Sequence, residues 1–124
     1  MAEVVMWAKP ASDSCWRLQQ AMQEAIPHIG LEMVNTIEML SERLKYPAKS
    51  GQVTVLLACT DNELDEALTI NGLLKETRLI LIVPNSSRDI VAKGHLLGPR
   101  YLSYADGDFK DVAAVLAKMV GAAI

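Results

Sequence analysis

Cysteine is scarce in this chain, aromatic residues are few, and no hydrophobic run approaches membrane length. Cys15 and Cys59 are the only two cysteines in 124 residues. Two thiols do not make a disulfide framework. Both are expected to be reduced and packed as small apolar side chains, with Cys59 the better candidate for a redox or nucleophilic role, because the start of a helix beside it would lower its pKa. The longest apolar runs have the length of a strand and fall far below the roughly 20 residues of a spanning helix, so no membrane association is expected. Met1-Ala2-Glu3-Val4-Val5-Met6-Trp7 contains no basic segment leading into a long apolar stretch. No signal peptide is therefore expected, and a cytoplasmic location follows by default. An excess of positive charge is also missing. The net charge is -3 and the pI about 5.3, which argues against nucleic acid as a partner, since phosphates call for clustered Lys and Arg.

Several chemical signatures are absent as well. There is no G-x-x-x-x-G-K-[ST] phosphate loop and no G-x-G-x-x-G turn. Lys9-Pro10-Ala11 follow the first apolar run, where they would obstruct a dinucleotide. His28 and His95 are isolated, and no ligand spacing links them to the cysteines, so no metal and no cofactor are expected. Ser12 and Ser14 have no recognisable triad partner.

What the chain does contain is a core. Hydrophobic residues make up 51% and charged residues 22%, which describes one folded domain over residues 1–124 that needs no metal or disulfide staple. Five short apolar runs recur: Val4 to Ala8, Leu31 to Asn35, Val53 to Cys59, Leu79 to Val83 and Tyr101 to Ala105. Their length and β-branched content predict strands. A helical pattern follows each. Asp13 to Ile26 carries Cys15, Leu18, Met22 and Ala25 on one face, with Ser12 or Ser14 as N-cap and Pro27 and Gly30 as terminators. A second helix, capped by Thr36, buries Ile37, Leu40 and Leu44 and stops at Pro47. Thr60-Asp61-Asn62-Glu63 is a capping box that opens a third helix, with Gly72 as its expected break. The fourth begins near Ser86 and carries Gly94, which makes it the weakest. The fifth, capped by Asp108, buries Val112, Val115, Leu116 and Met119.

Strands alternating with helices predict an α/β fold, a three-layer αβα sandwich around a parallel sheet. The third and fourth runs are apolar throughout, as central strands are, while the second and fifth mix polar with apolar residues. The five-stranded order 2-1-3-4-5, the flavodoxin-like arrangement, puts them in those places. Ligands of such sheets sit at the carboxyl ends of the strands. Here those ends carry Lys9, Thr36, Thr60 and Asp61, Asn85-Ser86-Ser87, and Asp106.

Tyr104-Ala105-Asp106-Gly107-Asp108-Phe109-Lys110-Asp111-Val112 and the run Arg78 to Val83 with its polar loop resemble the closing passages of a CheY-like receiver domain, the phosphoacceptor module of response regulators. The resemblance covers nearly the whole chain and rests on topology, length and local texture. It implies a phosphorylation site that the residues do not reproduce. Receivers place an acidic pair after strand 1, where this chain has Lys9-Pro10-Ala11. They end strand 3 on an aspartate, where Ala58 and Cys59 stand and Asp61 follows late. They end strand 4 on Thr or Ser and strand 5 on Lys-Pro, where Pro84-Asn85 and Ala105-Asp106 stand. Without hard oxygen ligands and a compensating cation, aspartyl phosphorylation has no support. The expectation is a degenerate pseudo-receiver that is not an enzyme: a protein-interaction or signalling module. By the same resemblance it associates with a protein partner, or with itself, through the face of the fourth helix, fifth strand and fifth helix, where Lys93, His95, Arg100, Tyr101 and Tyr104 lie. The alternative is a small anion or nucleotide-type ligand held at the carboxyl edge by Lys9, Thr60, Asp61, Asn85, Ser86, Ser87 and Asp106. A third possibility retains Asp61 as a phosphoryl acceptor.

Overall fold

The computed structural model describes residues 4–8, 13–27, 30–45 and 53–121. Five strands, β1 (Val4–Trp7), β2 (Leu31–Val34), β3 (Val53–Leu57), β4 (Arg78–Val83) and β5 (Tyr101–Tyr104), form one sheet in the order β2-β1-β3-β4-β5. All four pairings are parallel. The helices are α1 (Asp13–Ala25), α2 (Ile37–Lys45), α3 (Asp61–Leu68), α4 (Asn71–Leu74), α5 (Arg88–His95) and α6 (Lys110–Gly121). The arrangement is the flavodoxin-like α/β sandwich that the run pattern predicts.

Strand alternation sorts the core into two layers. Val4, Met6, Val53, Val55, Leu57, Ile80 and Ile82 project to one side and meet Leu18, Met22, Phe109, Val112 and Leu116 of α1, α6 and the turn before α6. Val5, Trp7, Leu56, Leu79, Leu81 and Val83 project to the other and meet Leu40, Leu44, Leu64, Leu74 and Ile90. β3 is buried at all five positions and β4 at five of six, as strands covered on both faces must be. β2 and β5 are the edges, and three of the four residues in each are only half-buried.

The helix ends follow local chemistry, with some departures from the sequence pattern. Thr36 Oγ1 accepts from Met39 N at 3.1 Å and caps α2. Ser12 lies outside the described residues, whereas Ser14 sits inside α1 and accepts from Arg17. The third helical segment does not break at Gly72. It ends at Leu68, where Thr69 Oγ1 turns back onto the Glu66 carbonyl at 2.6 Å, a local bond that competes with the helix. Gly72 then lies inside the short α4, so among the described residues six helices rather than five cover the sheet. α5 starts at Arg88, and Leu97 is buried just beyond its end. Gly94 lies close against the sheet: a Cβ there would meet Leu81 Cδ2 and Val83 Cγ1 at 3.2 Å and Leu102 Cδ1 at 3.3 Å, so those side chains would have to give way. Asp108 Oδ1 accepts from Lys110 N at 3.0 Å. Phe109 between them takes φ 65° and is fully buried, a conformation costly for a side chain this large and retained because its ring completes the α1/α6 core.

Candidate functional site

Parallel strands deliver their carboxyl ends to one edge, so the end of β1 and the loops after β2, β3, β4 and β5 converge there. β3 leaves the sheet through Ala58 and Cys59, and Thr60 caps α3. The capping box is displaced by one residue from the usual form. Glu63 N donates to Thr60 Oγ1 at 3.2 Å, while Glu63 Oε1 accepts from the backbone N–H of Cys59 at 3.1 Å and Oε2 accepts from Thr60 Oγ1 at 3.3 Å. The carboxylate thereby closes the turn between β3 and α3.

Asp61 is the first residue of α3. Its Oδ1 accepts from Lys93 Nζ at 2.6 Å, and Asp65 Oδ1 accepts from the same ammonium at 2.9 Å. The hydrogen bonds from Lys93 to Asp61 and then Asp65 raise the lysine pKa above its ordinary value. One cation on α5 thus bridges two carboxylates of α3.

Arg17, which sequence reasoning did not single out, reaches from α1 to the far side of this edge. Its Nη1 donates to the Gly107 carbonyl at 3.0 Å and its Nη2 to the Ala105 carbonyl at 3.4 Å and to Ser14 Oγ at 3.3 Å. Nε donates to Asp13 Oδ2 at 3.2 Å. The guanidinium carbon lies 5.1 Å from the Phe109 ring centroid, within cation–π range. The sequence signal available for it was the i, i+4 spacing from Asp13. The loop carbonyls it reaches are some 88 and 90 residues away, and no local pattern reports them.

The remaining candidates divide. Asn85 Oδ1 accepts from Ser87 N at 2.9 Å, which commits it to its own turn. Ser86, Ser87 and Asp106 are exposed at the same edge. Lys9 lies outside the described residues. The partner-face candidates fall on both sides of β5. Tyr101 packs with the α1/α6 layer and Tyr104 with the opposite layer, because strand neighbours three apart point to opposite sides. Lys93 turns toward α3 instead of β5. His95 and Arg100 are exposed, as is Leu96, at 60%.

Behind β5, Asp111 Oδ2 accepts from Tyr101 Oη at 2.8 Å and from Ser103 Oγ at 2.7 Å. Burial works against the Asp111 charge. The hydrogen bonds from Ser103, Tyr101 and the backbone outweigh it and hold the carboxyl below its usual range. The same bond to Asp111 raises the Tyr101 pKa.

At the end of β1, Trp7 is fully buried and its Nε1 has no hydrogen-bond partner among the described residues. No three His, Cys, Asp or Glu side chains gather as a metal cluster among the described residues, and no helix among them is long and apolar enough to cross a membrane.

Compared with known proteins, the chain matches no family profile and no curated sequence.

Proposed function

We propose that this chain is a receiver-like interaction module that does not accept phosphate, acting in the cytoplasm through the exposed side of α5, β5 and α6. The observation that carries this reading is the 2.6 Å contact between Asp61 and Lys93. The first carboxylate after β3 in sequence is held by a cation of the protein itself, and the turn before it is closed by Glu63. A phosphoryl group and its metal would have to displace both. β5 is an edge strand among the described residues, and the segment that leads from α5 into it exposes His95, Leu96 and Arg100. A leucine 60% exposed in that segment is an apolar anchor flanked in sequence by polar groups. The occupant proposed is a second copy of this chain.

Sedimentation equilibrium of the full chain tests this. A dimer at high micromolar protein that Leu96→Asp converts to monomer is the expected result. A wild-type chain that stays monomeric across that range contradicts self-association through this face.

A second reading, a small anion or nucleotide-type ligand at the carboxyl edge, is favoured by Trp7 Nε1, a buried donor with no hydrogen-bond partner among the described residues, since buried donors normally find partners. Ligand binding to the native state raises Tm by mass action. Thermal unfolding in the presence of inorganic phosphate or of ADP, compared with chloride at equal ionic strength, measures it. An unchanged Tm rejects this reading for those two probes.

A further inference from the structure

β5 is bracketed by opposite charges. Arg100 immediately precedes it, and Asp106 lies in the turn just after it. Both are exposed, and neither has an ion-pair partner among the described residues. Each nevertheless leaves a fixed backbone. Arg100 N donates to the Leu79 carbonyl at 2.8 Å, which ties it to β4. Asp106 stands between Ala105 and Gly107, whose carbonyls accept from the Arg17 guanidinium at 3.4 and 3.0 Å. That cation spends its bonds on these carbonyls, Ser14 and Asp13, and leaves the Asp106 carboxylate to solvent. Lys93, on the helix before β5, is committed to Asp61 and Asp65. Between the two charges, Tyr101, Leu102 and Tyr104 are half-buried. β5 pairs with β4 on one side and is an edge strand among the described residues. A strand paired on one side directs its alternate N–H and C=O groups away from its neighbour, toward a further strand.

Resting on the reading of this face as a self-association surface, we infer that two copies pair through β5, edge to edge and antiparallel about a two-fold axis, with Arg100 of each copy on Asp106 of the other. A two-fold axis between two identical edge strands runs them in opposite directions, so the beginning of one lies beside the end of the other. Each strand then meets its copy with the opposite charge at either end, and one pairing forms two identical Arg–Asp contacts. A parallel alignment would set Arg100 against Arg100 and Asp106 against Asp106. The backbone ladder joins the two sheets into one, and the half-buried tyrosines lie between the charged ends as cross-strand contacts. The charges fix the orientation and register more than they add affinity. Their fixed backbones limit the freedom lost on pairing.

The test is sedimentation equilibrium of the full chain as wild type, Arg100→Asp, Asp106→Arg and an equimolar mixture of the two variants, with thermal unfolding to confirm that each is folded. Either variant alone places two like-charge contacts in its own dimer, and its self-association is expected to weaken about tenfold or more. In the mixture, one copy carries acids at both ends of β5 and the other carries bases at both. Both contacts are attractive again, and dimers should return at close to wild-type affinity. A salt series on the wild type needs no variant, and its affinity should fall as salt is added. Variants that dimerise as tightly as wild type, a mixture that associates no more tightly than either variant alone, or a wild-type affinity indifferent to salt would each overturn this pairing. If Leu96→Asp still breaks the dimer in those cases, the broader reading of the face stands without it. A wild type that stays monomeric overturns both.

Discussion

The two faces of the sheet are covered differently. One carries two long helices, α1 with 13 residues and α6 with 12. The other carries α2, α3 and α5, with 9, 8 and 8 residues, and the single turn of α4. The long pair is pinned at both ends of the strands: Arg17 holds the β5–α6 loop at the carboxyl edge, and Arg78 Nη1 donates to the Met119 carbonyl at 3.1 Å near the other end. The short helices are fastened by apolar packing and by an exposed ion-pair triad centred on Lys93. Both layers are well cored, so the contrast lies in how the covering helices are fastened and not in how much they bury.

The largest effect should come from emptying the pinned face. Phe109→Ala removes a fully buried ring and is expected to cost about 3–5 kcal/mol in a urea unfolding titration. A loss below about 1 kcal/mol would mean that the surrounding core collapses into the space the ring leaves. Next is Arg17→Gln, which strips the bonds to Gly107 and Ala105. The expected loss is about 1–2 kcal/mol, with faster hydrogen exchange confined to the β5–α6 loop. A uniform increase across the sheet would deny Arg17 its local role.

On the short-helix face, two glycines should respond with opposite signs. Gly94→Ala forces a methyl against three side chains at 3.2 to 3.3 Å and should destabilise by about 1 kcal/mol, after strain overcomes the gain in helix propensity. Gly72 meets nothing within 4 Å, so Gly72→Ala should stabilise by about 0.5–1 kcal/mol. Equal signs at the two positions would show that close packing of α5 on β4 is not what retains Gly94. The smallest shift is expected from Lys93→Met, with the difference from wild type fading as salt is added.

The strand order was legible because it depends on composition: β3 and β4 are apolar at nearly every position, and β2 and β5 are not. The caps at Thr36 and Thr60 were legible because capping is local. What escaped was anything decided by distance in three dimensions. The side of β5 on which each tyrosine falls depends on register, the partner of Lys93 depends on how α5 lies against α3, and Arg17 acts on a loop at the far end of the chain. The carboxyl edge was therefore foreseen as a location, and its internal pairing was not.

The Asp111 cluster separates the faces by pH. Its carboxyl titrates lower in the folded chain than in the unfolded one. Its contribution is therefore present above the unfolded carboxylate pKa and is lost as pH falls through the folded value. Asp111→Asn should flatten the acid limb of the stability curve, and Tyr101→Phe should reproduce part of that change. Identical acid limbs in all three proteins would remove Asp111 from the account.

The central claim is that the carboxyl edge is occupied by the protein's own pairings and does not carry phosphoryl chemistry. The direct measurement is intact mass after incubation with a small phosphodonor and magnesium, with Asp61→Asn in parallel. The account predicts an unchanged mass for both proteins. A base-labile phosphoryl group on wild type that is absent from Asp61→Asn would contradict it.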